Sequence, residues 1–433
     1  MNNGEYSKRK FLKNLISGIS AGAKGVEISD KEEGGISKIG NLSLAQLREK
    51  YYSELFEHFI PNMEKFVIDH EIGGFMCDID IESGTKLTTT KRAWFEGRGI
   101  WVYSFIYNNF GEDPYFLQVA RKSKDFILKH QPIDNNFWIA SFARDGSPLS
   151  GGGDIFGNLY IAEGLAEYSI ASDERVYYEL AKKILLSSLS RYDSKNYISS
   201  SEKKIIAPRL LNHWMILLRN STQMLEHESD PEIEQLAQRC VDAIMNHHLN
   251  SEYNLLNVTL SHDLNLIPNS EYSQEASFGL GIQSLWMVMF EALRLRDVLL
   301  FKRVQKLFKR HVDIAQDPVY GGYFWSLDNV DKFSFSLGKA ISVHDEVLIG
   351  AMFLIEHRAD EWAQKCFAAT GKYVEEKFNH PEYLFSIKSG DRKLATYSTR
   401  GVGIYHHPRQ LILNLLAIER MIQRKGRVST LLD

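Results

Sequence analysis

Three cysteines in 433 residues, Cys77, Cys240 and Cys366, stand far apart with no CxxC spacing between them. That argues against a disulfide framework or a zinc ribbon and leaves three small hydrophobes. Charge of one sign is also scarce. The formal net charge is −4, so no broad basic field exists to draw in nucleic acid. No apolar run approaches the ~18–20 residues that a membrane-spanning helix needs. The chain lacks the GxGxxG and GxxxxGK[ST] phosphate loops; "SGGGD" at 150–154 has neither the lysine nor the preceding strand and reads as a flexible loop. No pattern calls for a metal, a nucleotide or another cofactor. What is abundant is hydrophobic residues, 44%, enough for a large buried core, and aromatic residues, 12%, a common lining for a pocket.

The N-terminal stretch "SKRKFLKNLISGISAGA" has a basic start, a short apolar middle and the small residues Ala21-Gly22-Ala23. It resembles a twin-arginine export signal with Lys8 in place of the first arginine, and implies export; the rival reading is a basic arm on a cytoplasmic protein. Residues 24–40 are charged and glycine-bearing and read as a linker. The chain is thus expected to divide into a signal-like segment and linker at 1–40 and one domain at 41–433.

From residue 42 onward, helical periodicity dominates. In "YFLQVARKSKDFILKH", Phe116, Val119, Phe126 and Ile127 recur at helical intervals behind the start signal Asp113-Pro114. The same pattern predicts about twelve helices, at 44–70, 92–110, 114–130, 155–171, 173–191, 209–228, 231–248, 277–296, 297–316, 338–357, 359–379 and 407–424. Between alternate helices lie short β-like pieces. "GGFMCDID" (73–80) and "GGYFWSLD" (321–328) are twins, and 135–148 reads as a further hairpin turning at Asp145-Gly146. Helices in hairpin pairs along one long domain predict an all-α fold, an (α/α)6 barrel or toroid with short β-hairpins at one end.

"RAWFEGRGIWVYSFIYN" (92–108), the two glycine-pair hairpins, the Lys339 to Glu346 spacing in "KAISVHDE", and "HHPR" (406–409) follow one another in a recognisable order. In that order and spacing the chain resembles the N-acylglucosamine 2-epimerase family, with its cellobiose 2-epimerase and mannose isomerase relatives, over about residues 42–425. The resemblance implies an isomerase acting at the reducing-end carbons of a small sugar, and often a homodimer. It makes His406 a catalytic acid/base, and Arg98, Glu346, Arg409, Trp94 and Trp286 substrate-binding residues.

The residue types suit the reaction. Taking a proton from the carbon beside a carbonyl leaves an enediolate, and an imidazole of ordinary pKa about 6.5 can remove and return that proton. Guanidinium groups steady charge on oxygen, and indole faces fit the C–H face of a pyranose. Bland alternatives stand beside these roles. His407 reads as a structural neighbour of His406, Arg98 could pair with Glu96 or Asp80, and Trp94, Trp101 or Trp286 could fill core space.

The pattern also breaks. Leu280 stands where the resemblance leads one to expect a second catalytic histidine, Gln283 replaces a glutamate, and Ile341 and Ser342 replace paired tryptophans. A replacement base is expected at His344, with His262 next. Otherwise a single base serves for aldose–ketose isomerisation. The remaining alternative is a carbohydrate-binding protein, or a glycan hydrolase or lyase using Asp78, Asp80 or Glu346.

Overall fold

The computed structural model describes residues 35–80, 83–133, 136–150, 152–200, 202–268, 270–378 and 403–432. The export-signal expectation falls on residues 1–34, outside the described residues. Of the expected linker, Lys38–Ile39 pairs with Leu42–Ser43 as a small antiparallel ladder.

Among the described residues, twelve long helices follow. They are α1 (Leu44–Ser53, continuing helically to Val67), α2 (Ala93–Asn109), α3 (Pro114–Lys129), α4 (Ile155–Ser172), α5 (Arg175–Tyr192) and α6 (Leu211–His227). Then come α7 (Pro231–Asp242), α8 (Phe278–Leu295), α9 (Val298–Ala315), α10 (Ile341–Arg358), α11 (Glu361–Lys377) and α12 (His406–Gln423). The even-numbered helices pack in the order α2, α4, α6, α8, α10, α12, and α12 meets α2 to close a ring. Each is backed by an outer helix: α3, α5, α7, α9 and α11 behind their predecessors, and α1 behind α12. This is the (α/α)6 barrel expected from the helical pattern.

The two layers follow from composition. Inner α4 is buried along almost its whole length, from Ile155 to Ala171, as a helix packed on all sides must be. Outer α9 buries only a stripe, with Phe301, Val304, Leu307, Phe308, His311, Val312 and Ala315 facing inward.

The ends of the barrel differ. At one end, inner helices turn directly into outer ones. Asp173, Arg296 and Ala359 take left-handed φ values of 61°, 55° and 50° after α4, α8 and α10. The next residue then begins or caps the outer helix; Asp297 and Asp360 accept from the first free backbone N–H groups of α9 and α11. Among the described residues, the hairpins that lead from an outer helix to the next inner one gather at the other end, where the inner helices start, while the Lys38–Ser43 ladder lies at the first end, beside Gly426.

Two of those connections are built alike. After α1, Asp69, the pair Gly73-Gly74 and Lys91 form a hairpin base: Lys91 Nζ lies 3.0 Å from Asp69 and donates to the Gly73 carbonyl at 2.6 Å. After α9, Lys339 Nζ reaches Asp317 at 2.8 Å and the Gly321 carbonyl at 2.6 Å. Both glycine pairs have positive φ, 90° and 88° in the first and 73° and 71° in the second. Each lysine thus ties its hairpin to the start of an inner helix, α2 or α10. The turn at Asp145-Gly146 follows Ser141–Phe142, which pairs with Lys91–Arg92.

Candidate functional site

The inner helices begin at the hairpin end, and the polar side chains of their first turns converge there. His406 is the first residue of α12, Arg98 and Glu346 lie in the second turns of α2 and α10, and Gln283 in the second turn of α8.

His406 is held on one side and open on the other. Its Nδ1 lies 2.8 Å from Glu346 Oε1, while 29% of the side chain remains accessible. Among the described residues Nε2 has no hydrogen-bond partner. Glu346 is almost fully buried yet stays ionised. Burial opposes the charge, but Arg409, His406 and Trp286 outweigh it and hold the carboxyl below its usual range. A carboxylate only accepts, so Nδ1 of His406 carries the proton and Nε2 presents its lone pair. Burial, with the charges of Arg409 and Arg98, moves the His406 pKa down against the pull of Glu346.

Glu346 is gripped on three sides. Arg409 Nη2 donates to Oε1 at 2.5 Å and Trp286 Nε1 donates to Oε2 at 2.6 Å. Gln283, with its amide oxygen turned to the guanidinium, accepts from Arg409 Nη1 at 3.0 Å and Nη2 at 2.8 Å. Arg409 and Trp286 are both 0% exposed. These two, expected to touch a sugar, stand behind Glu346 and hold it in place, and Glu346 itself, 1% exposed, bonds the imidazole.

Arg98 is half-buried, with its guanidinium 4.1 Å from the Tyr160 ring centroid and 5.0 Å from that of Tyr405. Nη2 donates to the Tyr160 hydroxyl at 2.7 Å, and among the described residues no carboxylate pairs with it. Glu96, the alternative partner, points elsewhere; it accepts from the Phe75 N–H at 3.0 Å and from Ser123 at 2.6 Å. Trp94 is one helical turn from Arg98 on the same face of α2 and is half-buried, with Arg92 over its ring at 5.6 Å. Trp101 is fully buried and donates to Gln223 at 3.1 Å.

His344, the expected second base, has both ring nitrogens engaged. It is 0% exposed; Nδ1 lies 2.8 Å from the Ala340 carbonyl, and Nε2 accepts from the Tyr323 N–H at 3.2 Å. Its ring stacks on Tyr373 of α11 at 5.1 Å, and burial lowers its pKa to about 4. The reason lies in the duplicated hairpins. His344 follows Lys339 by the same interval as Glu96 follows Lys91, and both hold the backbone N–H after a glycine pair. His262 bonds Arg209 at 2.7 Å. His407 turns away from His406 to Asp345 at 3.0 Å, with Glu54 at 3.9 Å. Burial opposes its charge, but the two carboxylates raise its pKa to about 10.

Leu280 is partly buried on the face of α8 that carries Gln283, one turn nearer the open end. The possible carboxylate pair is also engaged: Asp78 accepts from Thr88 at 2.8 Å, and Asp80 from Ser83 Oγ at 2.7 Å. Sequence reasoning passed over Tyr405, Tyr160 and Glu163. The last had a visible signal, an acid in the otherwise apolar stretch "NLYIAEGLA".

The sequence profile of N-acylglucosamine 2-epimerase (GlcNAc 2-epimerase) matches residues 49–407. The bovine (Bos taurus) N-acylglucosamine 2-epimerase is 23% identical over 390 residues, covering 84% of this chain and 89% of that protein. Among solved structures, cellobiose 2-epimerase from Bacillus thermoamylovorans B4167 superposes with a TM-score of 0.75 at 15% identity, over 87% of this chain and 100% of that one. A D-mannose isomerase structure gives 0.70 at 15% identity, over 88% and 97%. With a family match over most of its length and a helical ring shared with these structures, the chain belongs to the N-acylglucosamine 2-epimerase family.

Proposed function

We propose that this enzyme moves a proton at C2, or between C2 and C1, of a reducing sugar through an enediolate, with His406 as the acid/base. The observation that carries the reading is the state of that ring: open to solvent at one edge, its Nδ1–H committed to an ionised Glu346, and Arg98 beside it without a carboxylate partner among the described residues.

In the open-chain sugar, Nε2 takes the proton from C2. The electron pair of the broken C–H bond moves into a C1–C2 double bond, and the carbonyl oxygen at C1 becomes an oxyanion. The imidazolium that forms is stabilised by Glu346, and the guanidinium of Arg98 is suited to the oxyanion. The proton then returns either to C2, or to C1 with the O2 hydroxyl proton passing to O1. The second route needs one base on one face. The apolar Leu280 and the occupied nitrogens of His344 support that route, an aldose–ketose isomerisation, over a two-base epimerisation.

The hydrolase or lyase alternative has weaker support, because Glu346 is consumed by three donors and Asp78 and Asp80 by local hydroxyls. The family likeness supports a homodimer, which light scattering on the purified protein tests.

The deciding experiment incubates the protein in D2O with aldoses, ketoses and reducing disaccharides and follows deuterium at C1 and C2 by NMR. Incorporation that disappears in His406→Ala is expected. No exchange with any sugar of the panel would overturn the reading.

A further inference from the structure

Beneath His406 and the two guanidinium groups lies a side chain that no step above uses. Tyr405, the residue just before α12, is 2% exposed. Its ring centroid is 5.0 Å from the Arg98 guanidinium and 4.6 Å from that of Arg409, and the His406 ring meets it edge-on at 5.7 Å and 83°. One aromatic ring is thus shared by both cations and the base.

The hydroxyl of that ring is anchored across the barrel. It donates to Glu163, whose Oε1 is 2.6 Å and Oε2 2.8 Å away. Glu163 is 0% exposed on α4, and α2 stands between α4 and α12 in the ring of inner helices. The same carboxylate receives Arg219 Nε of α6 at 3.3 Å. One turn before Glu163, Tyr160 holds Arg98 by its hydroxyl and meets Tyr405 edge-on at 5.5 Å. Burial, reinforced by Glu163, moves the Tyr405 hydroxyl pKa well up, so it remains a donor.

Electrostatics gives this arrangement a purpose. Two guanidinium groups near one imidazole repel each other and disfavour its protonation. An aromatic face attracts each of them, and a carboxylate behind the ring offsets their charge without entering the pocket. We propose that Tyr405, tied to Glu163, is a positioning residue that fixes Arg98 and Arg409 relative to His406. Its catalytic consequence rests on the enediolate reading; the positioning itself does not.

The test uses the full chain with 15N-labelled histidine. The His406 signal is assigned from its loss in His406→Ala and titrated in wild type, Tyr405→Phe, Tyr405→Leu, Glu163→Leu and Glu163→Gln. The groups that set this titration are Glu346 from α10, Arg409 from α12 and Arg98 from α2. Release of Arg98 and Arg409 weakens their repulsion of the imidazolium. The midpoint should therefore rise, by about 0.3–0.5 pH unit in Tyr405→Phe and more in Tyr405→Leu, whereas Glu163→Leu also removes a carboxylate that offsets the guanidinium charge and should rise less. Glu163→Gln keeps an acceptor for the hydroxyl and should stay nearer wild type. In turnover, kcat should fall about 10-fold in Tyr405→Phe with KM little changed. Midpoints within 0.1 pH unit of wild type in folded Tyr405→Phe and Tyr405→Leu, confirmed by circular dichroism, would overturn the positioning role. Isotope exchange that survives His406→Ala would instead sink the enediolate reading, and the titration still decides the role of Tyr405.

Discussion

Glu346 Oε1 accepts from His406 Nδ1 at 2.8 Å, and that one hydrogen bond decides which nitrogen of the ring can do chemistry. The carboxylate locks the proton on Nδ1, leaves the lone pair on Nε2, and waits to stabilise the imidazolium.

His406→Ala should lower kcat by roughly 10²–10⁴, the usual worth of a positioned acid/base. Glu346→Gln, which keeps shape but loses the charge, should lower it by about 10–100-fold with the sugar KM little affected. Steady-state kinetics on whichever sugar exchanges deuterium measures both.

The acid limb of kcat/KM should lie below pH 6.5. Burial and two nearby guanidinium groups depress the His406 pKa, and the base works only when neutral, so activity falls as pH drops through that depressed value. A limb above pH 6.5 would contradict the geometry around the ring.

Leu280→His would place an imidazole on the α8 face that carries Gln283. If a single base now sends the proton from C2 to C1, wild type yields mainly the ketose from an aldose, and the variant should add the C2 epimer. Product analysis by NMR after partial conversion distinguishes them. A wild-type enzyme whose initial product is the epimer alone would show that another group, beyond Leu280 and His344, serves the second face.

His407 offers a stability test with a definite sign. Its folded pKa is raised to about 10 by Asp345 and Glu54, so its contribution is fully present below the unfolded value near 6.5. That contribution fades as pH rises from there through 10. His407→Gln should therefore lose more stability relative to wild type at pH 6 than at pH 10, with the loss at pH 6 of about 3–5 kcal/mol for a broken buried pair. Urea unfolding at the two pH values reads it.

His344→Gln separates the hairpin post from the reaction. Loss of its bonds to Ala340 and Tyr323 should cost about 1–3 kcal/mol, seen as a lower Tm, while kcat stays within about threefold of wild type. A drop of a hundredfold in kcat without loss of stability would return His344 to the proton path.

The helices were legible because burial on one stripe or on all sides writes itself into the spacing of apolar residues. The start signal Asp113-Pro114 caps α3 as expected. The twin hairpins were visible too, since glycine pairs at positive φ admit few substitutes. The placement of His344 has a physical origin also present in the chain. Residues 344 and 346 are two apart on a helix and face different sides, so Glu346 turns to the axis and His344 to Tyr373 of the outer layer. Glu96 and Arg98 repeat the division on α2.

The sequence by itself determined a ring of paired helices, a family, and an imidazole at the head of the last inner helix, because periodicity, caps and local motifs are properties of neighbours along the chain. Only the tertiary structure decided that Arg409 and Trp286 stand behind Glu346, and that Tyr405 reaches Glu163 across an intervening helix. Those are relations between residues 60 to 242 positions apart, created when six inner helices close on one axis, and no local pattern encodes which face of each helix meets which other.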